Sequence, residues 1–315
     1  MRDRCALFSC MGLGDGLITL TLAQNLFLNG YAPILFHPFL HELQSWFPHI
    51  PIRPFPQRMN ALADFDWFFF MYEQLPPMLS LIAHCEKHYA NKTIVLNPIA
   101  TLNNDYPYWE VGCFDGNLPI VENLVRFCKT VLQFKQTTKS NGLVLPIDLQ
   151  PRRFLRRVAI HPTSSLERKN WPKEKFLRFA HTLQKQGWAP MFILKENERD
   201  GWEEHLAPRF SSLEAMARAV CESGYMVGND SGIGHLASCC GVPTLTICRQ
   251  IQSSRFWRPD WTPGTVLAPY RWIPNIKWGR IRDRYWKQWI SVRRVLRGFH
   301  HLQQLGASMQ RAVPQ

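Results

Sequence analysis

Short apolar segments alternate with segments of helical periodicity along most of this chain, and that alternation limits the fold to layered α/β architectures. In the first half it predicts strands at Cys5–Ser9, Ile34–His37, Trp67–Met71 and Ile94–Asn97, and helices at Leu17–Asn29 and Ile120–Phe134. In the second half it predicts strands at Val158–Ile160, Met191–Leu194, Tyr225–Gly228 and Thr244–Ile247, and helices at Pro172–Gly187, Ser211–Glu222 and Ile233–Cys240.

A polar segment interrupted by proline, from Lys135 to Arg157, separates the two α/β halves. We therefore predict an N-terminal domain over residues 1–150 and a C-terminal domain over residues 151–283. Residues 284–315 form the predicted C-terminal helix and tail, with the helix from about Arg284 to Leu305.

The composition narrows the class of protein. The chain has 315 residues, of which 46% are apolar and 19% charged, enough for a substantial core, which excludes disordered, collagen-like and small disulfide-stapled proteins. The nine cysteines include no Cys-x-x-Cys pair, which favours a reducing cytosol. No segment reaches the roughly 20 apolar residues of a membrane helix, and glycines interrupt the apolar start. We expect a soluble or peripheral cytoplasmic protein.

The first candidate site is the turn Gly12-Leu-Gly14-Asp15-Gly16, predicted as a loop between a strand and a helix. Its glycines admit a ligand close to the backbone, and the following helix N-terminus favours an anion. The G-x-G-x-G spacing differs from the G-x-G-x-x-G of dinucleotide folds, which disfavours a nicotinamide cofactor. Since Asp15 would repel a phosphate, it is either a helix cap or a carboxylate base at the mouth of a cleft.

The second candidate site joins His161-Pro162-Thr163-Ser164-Ser165 to Lys169-Asn-Trp171-Pro172, between a predicted strand and helix. Hydroxyl groups and a lysine ammonium suit phosphate oxygens. The alternative is an ordinary polar loop ending in a helix cap.

The third candidate site, Gly228-Asn-Asp230-Ser231-Gly232-Ile-Gly-His235, follows a strand and opens a short helix. Backbone N–H groups, Ser231 and the helix dipole predict an anion site. His235 either donates to a phosphate or buttresses the loop.

Together these segments resemble glycosyltransferase family 9, the ADP-heptose:lipopolysaccharide heptosyltransferases. Gly14-Asp15 matches the N-terminal G-D of that family, and His161-Pro162 through Lys169, Trp171 and Pro172 resembles its H-P-G-S-…-K-x-W-P. The most specific match is Gly228-Asn-Asp-Ser-Gly232 with His235-Leu-Ala237 and Gly241-Val-Pro243. The matches follow the family order from Cys5 to Ile247.

The resemblance implies an α/β GT-B fold, with two Rossmann-like domains facing a central cleft. The N-terminal domain would bind the acceptor and the C-terminal domain the nucleotide sugar. Asp15 would deprotonate the acceptor hydroxyl for an inverting displacement. The residues implied to bind the nucleotide sugar are Gly14, Thr163, Ser164, Ser165, Lys169, Glu198, Asp230, Ser231, Gly232 and His235. Glu198 would touch the ribose, with Glu196 as the alternative.

The partners implied are a nucleotide sugar, with ADP-heptose favoured, and an anionic glycan or glycolipid acceptor of the lipopolysaccharide-core type. No cofactor is implied, and no cluster of residues has metal-ligand spacing. The chain departs from the family pattern after Pro243, where Ile247-Cys-Arg-Gln-Ile251 replaces the usual Phe-Gly-Pro-Thr, and at Thr163, which stands for glycine. These changes bear on donor specificity.

Three alternative functions remain open at this point. A transferase could use another nucleotide sugar and acceptor. A non-catalytic relative would keep the fold without turnover, although Asp15 and Lys169 are intact. A basic nucleic-acid-binding protein would use phosphate contacts and stacking.

The net charge of +13, from 37 basic and 24 acidic residues, is concentrated near the C-terminus. Between Arg271 and Arg297 there are nine basic residues and one acid, with four of the twelve tryptophans. The basic residues are Arg271, Lys277, Arg280, Arg282, Arg284, Lys287, Arg293, Arg294 and Arg297, and the acid is Asp283. This composition predicts a surface that contacts an anionic membrane or a phosphorylated glycolipid, rather than nucleic acid.

Overall fold

The computed structural model describes residues 2–97, 114–275 and 281–311. The chain divides into two compact units, Met1–Pro146 and Ile147–Gln315. The sequence places a domain boundary near residue 150, and the functions assigned to the two domains stay predictions. Lys277 and Arg280, named above, lie outside the described residues.

The first unit is a five-stranded parallel sheet with strand order β3-β2-β1-β4-β5. Its strands are β1 Arg4–Phe8, β2 Ala32–Phe36, β3 Ile52–Arg53, β4 Trp67–Met71 and β5 Thr93–Leu96. Its helices are α1 Leu13–Leu28, α2 Pro76–Tyr89 and α3 Ile120–Thr130. The sequence predicts β4 with these bounds, whereas α2 and β3 are elements that it does not predict.

Both faces of β1 are covered, as in other parallel sheets. Phe8 packs with Ile82 of α2, while Leu7, which points to the opposite face, is equally buried. Phe8 is in register with Phe36 and Phe70 on the neighbouring strands, and its ring stacks on theirs at centroid distances of 4.9 and 4.7 Å. This aromatic row lies at the carboxyl ends of the strands, directly before the first candidate site.

The second unit is also a five-stranded parallel sheet, with strand order β10-β9-β8-β6-β7. Its strands are β6 Phe154–His161, β7 Ala189–Phe192, β8 Ser223–Asn229, β9 Thr244–Ile247 and β10 Gly264–Leu267. Its helices are α4 Lys173–Lys185, α5 Leu213–Cys221, α6 Gly232–Cys239, α7 Ile251–Trp257, α8 Ile281–Arg284, α9 Trp286–Trp289 and α10 Val292–Arg311.

The strand orders locate where a ligand can bind. In each sheet the order in which successive strands are added reverses at one point. This point lies between β1 and β4 in the first unit and between β6 and β8 in the second. The loops that leave these neighbouring strands in opposite directions open a crevice at their carboxyl ends, which is the usual ligand site of such sheets. All three candidate sites follow β1, β6 or β8 and therefore lie at these crevices.

Two local predictions are wrong in detail. Helix α1 begins at Leu13, so Gly14, Asp15 and Gly16 belong to its first turn and not to a loop. The cap of α5 is Ser212, whose Oγ accepts the Ala215 N–H at 3.1 Å, rather than Ser211. Ser211 is one residue too early because the hydroxyl must reach the third N–H of the helix.

The C-terminal segment differs most from its prediction. The single helix expected from Arg284 to Leu305 is three helices, α8 to α10. Trp286, expected on one exposed basic surface, is 2% exposed and belongs to the core of the second unit. Trp272 is 76% exposed. Within the described part of the chain, no helix combines the length and apolar character needed to cross a bilayer.

Candidate functional site

Asp15 lies in the first turn of α1, three residues after the helix cap Gly12. Its carboxylate folds back over Gly12. Asp15 Oδ2 occupies the space that a Cβ at position 12 would need, so the side chain fits only beside a glycine. An acid in this turn is favoured by the partial positive charge of the helix N-terminus. Since Gly12 is the cap residue of α1, the interpretation of Asp15 as the helix cap is wrong. The half-buried carboxylate lies at the crevice beside β1, and its role as a base stays a prediction.

His37, which the sequence analysis does not single out, holds this turn in place. Its Nδ1 accepts the Leu40 N–H at 3.0 Å, so Nε2 carries the proton and donates to the Gly12 carbonyl at 3.1 Å. The side chain is fully buried, and burial lowers the pKa of His37 to about 4. A sequence signal for His37 does exist: it directly follows β2, and the carboxyl ends of parallel strands carry the ligand sites of such sheets.

Glu73 reaches the same crevice from the loop after β4. Its Oε2 accepts the Met11 N–H at 2.8 Å, which links the loops after β1 and β4. Burial, Asp15 and Glu73 together raise the pKa of the Cys10 thiol strongly. Beside them is an apolar cavity of about 250 Å³, lined by Met11, Phe55, Glu73, Leu75, Pro77 and Met78.

In the second unit, Asn229 joins the second and third candidate sites. Its Oδ1 accepts the Trp171 N–H at 3.0 Å, and its Nδ2 donates to the Pro162 carbonyl. The side chain is 2% exposed, so both ends of the amide are satisfied inside the protein. Gly228, just before it, has no space for a Cβ, which would lie 2.5 Å from the His161 carbonyl oxygen.

This arrangement brings together Lys169, Asp230, Ser231 and Gly232. The Lys169 Nζ lies 3.7 Å from Asp230 Oδ2, and the lysine side chain is 45% exposed. Ser231 is the cap residue of α6, and its Oγ has no hydrogen-bond partner among the described residues. The first N–H groups of α6, this hydroxyl and the ammonium are donors of the kind that a phosphate requires.

The hydroxyl groups predicted to bind phosphate differ in their contacts. Ser164 Oγ donates to Asn170 Oδ1 at 2.7 Å, while Ser165 is exposed. His161 Nδ1 lies 2.7 Å from the Ile193 carbonyl and donates to it, so Nε2 faces Thr163 Oγ1 at 3.4 Å as an acceptor. Burial lowers the pKa of His161. Ser164 and Thr163 thus shape the loop, and Ser165 remains open to a ligand.

His235 is buried one turn into α6. Its ring meets that of Trp261 edge to face at 5.9 Å, and its Nδ1 is buried with no hydrogen-bond partner among the described residues. Burial lowers the pKa of His235 to about 4, so the ring is neutral at physiological pH. Both roles considered for this histidine, donor to a phosphate and support of the loop, stay predictions.

The two glutamates after β7 have different surroundings. Glu196 is exposed and forms ion pairs with Arg209 and Arg199. Glu198 is half-buried and accepts the Lys195 N–H at 2.9 Å. Its charge acts on the pKa of His161, which places Glu198 near the crevice. The preference for Glu198 over Glu196, and the contact with a ribose, stay predictions.

No group of three or more His, Cys, Asp or Glu residues suited to a metal ion occurs in residues 2–97, 114–275 and 281–311. The predictions that no metal and no cofactor are needed remain predictions.

Comparison with known proteins supports the resemblance. Residues 153–261 match the family described as glycosyltransferase family 9 (heptosyltransferase). Among curated proteins, no significant sequence match was found.

Solved structures match nearly the whole chain. A glycosyltransferase of family 9 from Veillonella parvula is 16% identical with a TM-score of 0.67, over 95% of this chain and 97% of that one. The E. coli ADP-heptose lps heptosyltransferase II is 13% identical with a TM-score of 0.64, over 96% and 98%. The E. coli heptosyltransferase WaaC with ADP is 12% identical with a TM-score of 0.61, over 95% and 99%.

At these identities the structural matches establish the fold. The predicted fold class is confirmed as two parallel α/β sheets similar to heptosyltransferases of the GT-B type. The matched family and these neighbours are glycosyltransferases, in agreement with the predicted enzyme class.

Proposed function

Because residues 153–261 match the family model of glycosyltransferase family 9, we propose that this protein transfers a heptose from ADP-heptose to a lipopolysaccharide-core or related glycan, with inversion at the anomeric carbon. The neighbours support this choice, since one is named for ADP-heptose and another holds ADP. The single observation that carries the proposal is the meeting of Lys169 with the Asp230–Gly232 turn at the β6–β8 crevice.

The second unit holds the donor in this proposal. The diphosphate lies at the N-terminus of α6, where backbone N–H groups and Ser231 Oγ donate to its oxygens. The Lys169 ammonium, drawn to Asp230 without ligand, turns to the diphosphate and stabilises the charge that grows as the sugar leaves. Preorganised donors on a leaving group contribute about 10²–10³-fold each.

The first unit supplies the base. Asp15 takes the proton from the acceptor hydroxyl while the hydroxyl oxygen attacks the anomeric carbon and the bond to the diphosphate breaks. A neutral His37 keeps the α1 turn fixed, because it donates to Gly12 without adding a positive charge beside the carboxylate. General-base assistance of this kind is typically worth about 10²–10⁴-fold.

A thermal-shift panel of ADP, UDP, GDP and CMP, with their sugars, tests the donor, because a ligand of the folded state raises its apparent stability. We expect the largest shift with ADP and ADP-heptose. Release of ADP with a heptose-acceptor glycan then tests transfer. A clear preference for another nucleotide would overturn the ADP assignment, and the absence of any nucleotide shift would overturn the transferase.

We also propose that the C-terminal basic segment meets an anionic membrane or glycolipid at the inner face of the cytoplasmic membrane. The exposed residues that favour this contact are Trp272, Arg271, Arg284, Arg293 and Arg297. The variant Trp272→Ala with Arg284→Glu should bind anionic vesicles less tightly than wild type. Vesicle binding that survives both changes would contradict this contact, and salt-dependent binding of oligonucleotides instead would favour the nucleic-acid alternative.

A further inference from the structure

Lys169 lies on a short exposed segment with little internal support. The segment is a single turn, with a hydrogen bond from Lys169 N to the Leu166 carbonyl at 2.8 Å and one from Asn170 N to the Glu167 carbonyl at 2.9 Å. Residues 165–169 are all exposed. An isolated turn of this length does not hold a long side chain in one place, so its position depends on what packs against it.

Helix α9, in the C-terminal segment, packs against the turn that carries Lys169. The Trp286 indole Nε1 donates to the Arg168 carbonyl at 3.2 Å, and the Lys287 ammonium to the Glu167 carbonyl at 3.4 Å. The Trp286 ring is 2% exposed and belongs to the same core as Trp171. The indole is therefore rigidly held, and it fixes the carbonyl of the peptide bond that joins Arg168 to Lys169.

Hydrogen bonds also run in the opposite direction. Trp171 Nε1 donates to the Ile290 carbonyl at 2.9 Å. The Lys175 ammonium donates to the Lys287 and Ile290 carbonyls at 2.6 and 3.0 Å. The turn and residues 286–290 are thus tied on both sides of Lys169.

We propose that Trp286 is a positioning residue for the nucleotide-sugar site, acting through the Arg168–Lys169 peptide. This inference rests on the proposed function of Lys169. A carbonyl held by a buried indole sets the plane of that peptide, and with it the direction in which the Lys169 side chain leaves the chain. The C-terminal segment thereby has a second role beside its exposed basic surface: it completes the donor site.

The variant Trp286→Phe removes the N–H donor and keeps an aromatic ring in the core. The matched control is Trp202→Phe, since Trp202 packs on Phe192 at the same core. Calorimetry on the full chain should show ADP binding about two- to tenfold weaker in Trp286→Phe, because up to the free energy of one hydrogen bond no longer holds Lys169 in its binding orientation. Adenosine, which lacks phosphate, should bind equally to both variants and to wild type.

A double-variant cycle separates positioning from general destabilisation. When Lys169 is already alanine, Trp286→Phe should cause no further loss of ADP affinity. An unchanged ADP affinity in Trp286→Phe, or an equal loss in the Lys169→Ala background, would overturn the proposal.

Hydrogen exchange of the Lys169 and Asn170 amides gives a reading without nucleotide. Exchange should be faster in Trp286→Phe than in Trp202→Phe, and equal exchange would contradict the anchoring of the turn. If wild type binds no nucleotide while this exchange difference is seen, the proposed function fails and the anchoring stands, which distinguishes the two.

Discussion

The turn after β1 and the turn after β8 share one geometry and differ in charge. Each links a parallel strand to a helix at the crevice of its own sheet, and each lies beside a buried neutral histidine, His37 or His235. The β1 turn gathers carboxylates, since Asp15 and Glu73 both raise the pKa of the Cys10 thiol. The β8 turn sets Lys169 opposite Asp230.

The difference in charge between the two turns determines which ligand each crevice can accept. Two carboxylates close together suit a neutral hydroxyl and a proton to be removed, and they repel a diphosphate. A cation opposite an acid at a helix N-terminus suits an anion, because the ligand can replace the carboxylate as the partner of the lysine. A common backbone frame therefore carries a base in one unit and an anion site in the other.

The largest expected effect comes from removing the base. Asp15→Asn keeps the size of the side chain and should lower the rate of transfer about 10²–10⁴-fold, measured in single turnover. Affinity for ADP should stay within about twofold of wild type, because the donor site lies in the other unit. The control is Glu73→Gln, which retains an oxygen to accept the Met11 N–H. Equal turnover of Asp15→Asn and wild type would remove the contrast between the two turns.

Acid should weaken both turns through their histidines. Each has a pKa of about 4 in the folded chain against an ordinary 6.5, so the unfolded chain takes up protons first as the pH falls. Stability is therefore complete above about pH 6.5 and is lost between 6.5 and 4, by up to ~3 kcal/mol for each histidine. Urea unfolding at pH 7.5 and 4.5 measures this loss. His37→Gln and His235→Gln should each flatten the dependence, and an unaltered slope would contradict the assignment.

The variant Lys169→Ala tests the ammonium that lies opposite Asp230 of the β8 turn. Loss of a charge-assisted hydrogen bond to phosphate should weaken ADP binding by about 10- to 100-fold in calorimetry. Lys173→Ala is the matched control, since the Lys173 ammonium donates to the Asp200 carbonyl at 3.1 Å and should leave ADP affinity unchanged. A dissociation constant that is the same in Lys169→Ala and wild type would count against the anion site.

The smallest effects compare a glycine in each turn. A Cβ on Gly16 would lie 2.7 Å from His37 Cδ2 and 2.9 Å from Leu40 Cδ2, so Gly16→Ala should cost about 1–3 kcal/mol of stability. Among the described residues, a Cβ on Gly234 would meet only Pro259, at 3.6 Å, so Gly234→Ala should be neutral or stabilise by up to about 1 kcal/mol. Melting temperatures check the pair, and similar shifts in both variants would show that the turns are packed alike.

Local patterns predict the elements best where a single apolar run is bounded by turn residues. The bounds of β4 and β9 agree with the sequence for this reason. The sequence predicts that α1 begins at Leu17 rather than Leu13, because a run of glycines is typical of a loop. In the structure the Gly12 carbonyl accepts a hydrogen bond from His37, 25 residues along the chain. Asn229 stands inside a recognised motif, yet its partners Trp171 and Pro162 lie 58 and 67 residues distant.

Local sequence patterns are sufficient for the α/β alternation, its division into two halves and the three turns that carry Asp15, Lys169 and Asp230, because periodicity and turn chemistry depend on neighbouring residues. The tertiary fold sets the strand orders that place these turns at crevices, the neutrality of His37 and His235, and the burial of Trp286 beneath the Lys169 turn. These properties depend on desolvation and on hydrogen-bond partners that the fold brings from distant parts of the chain.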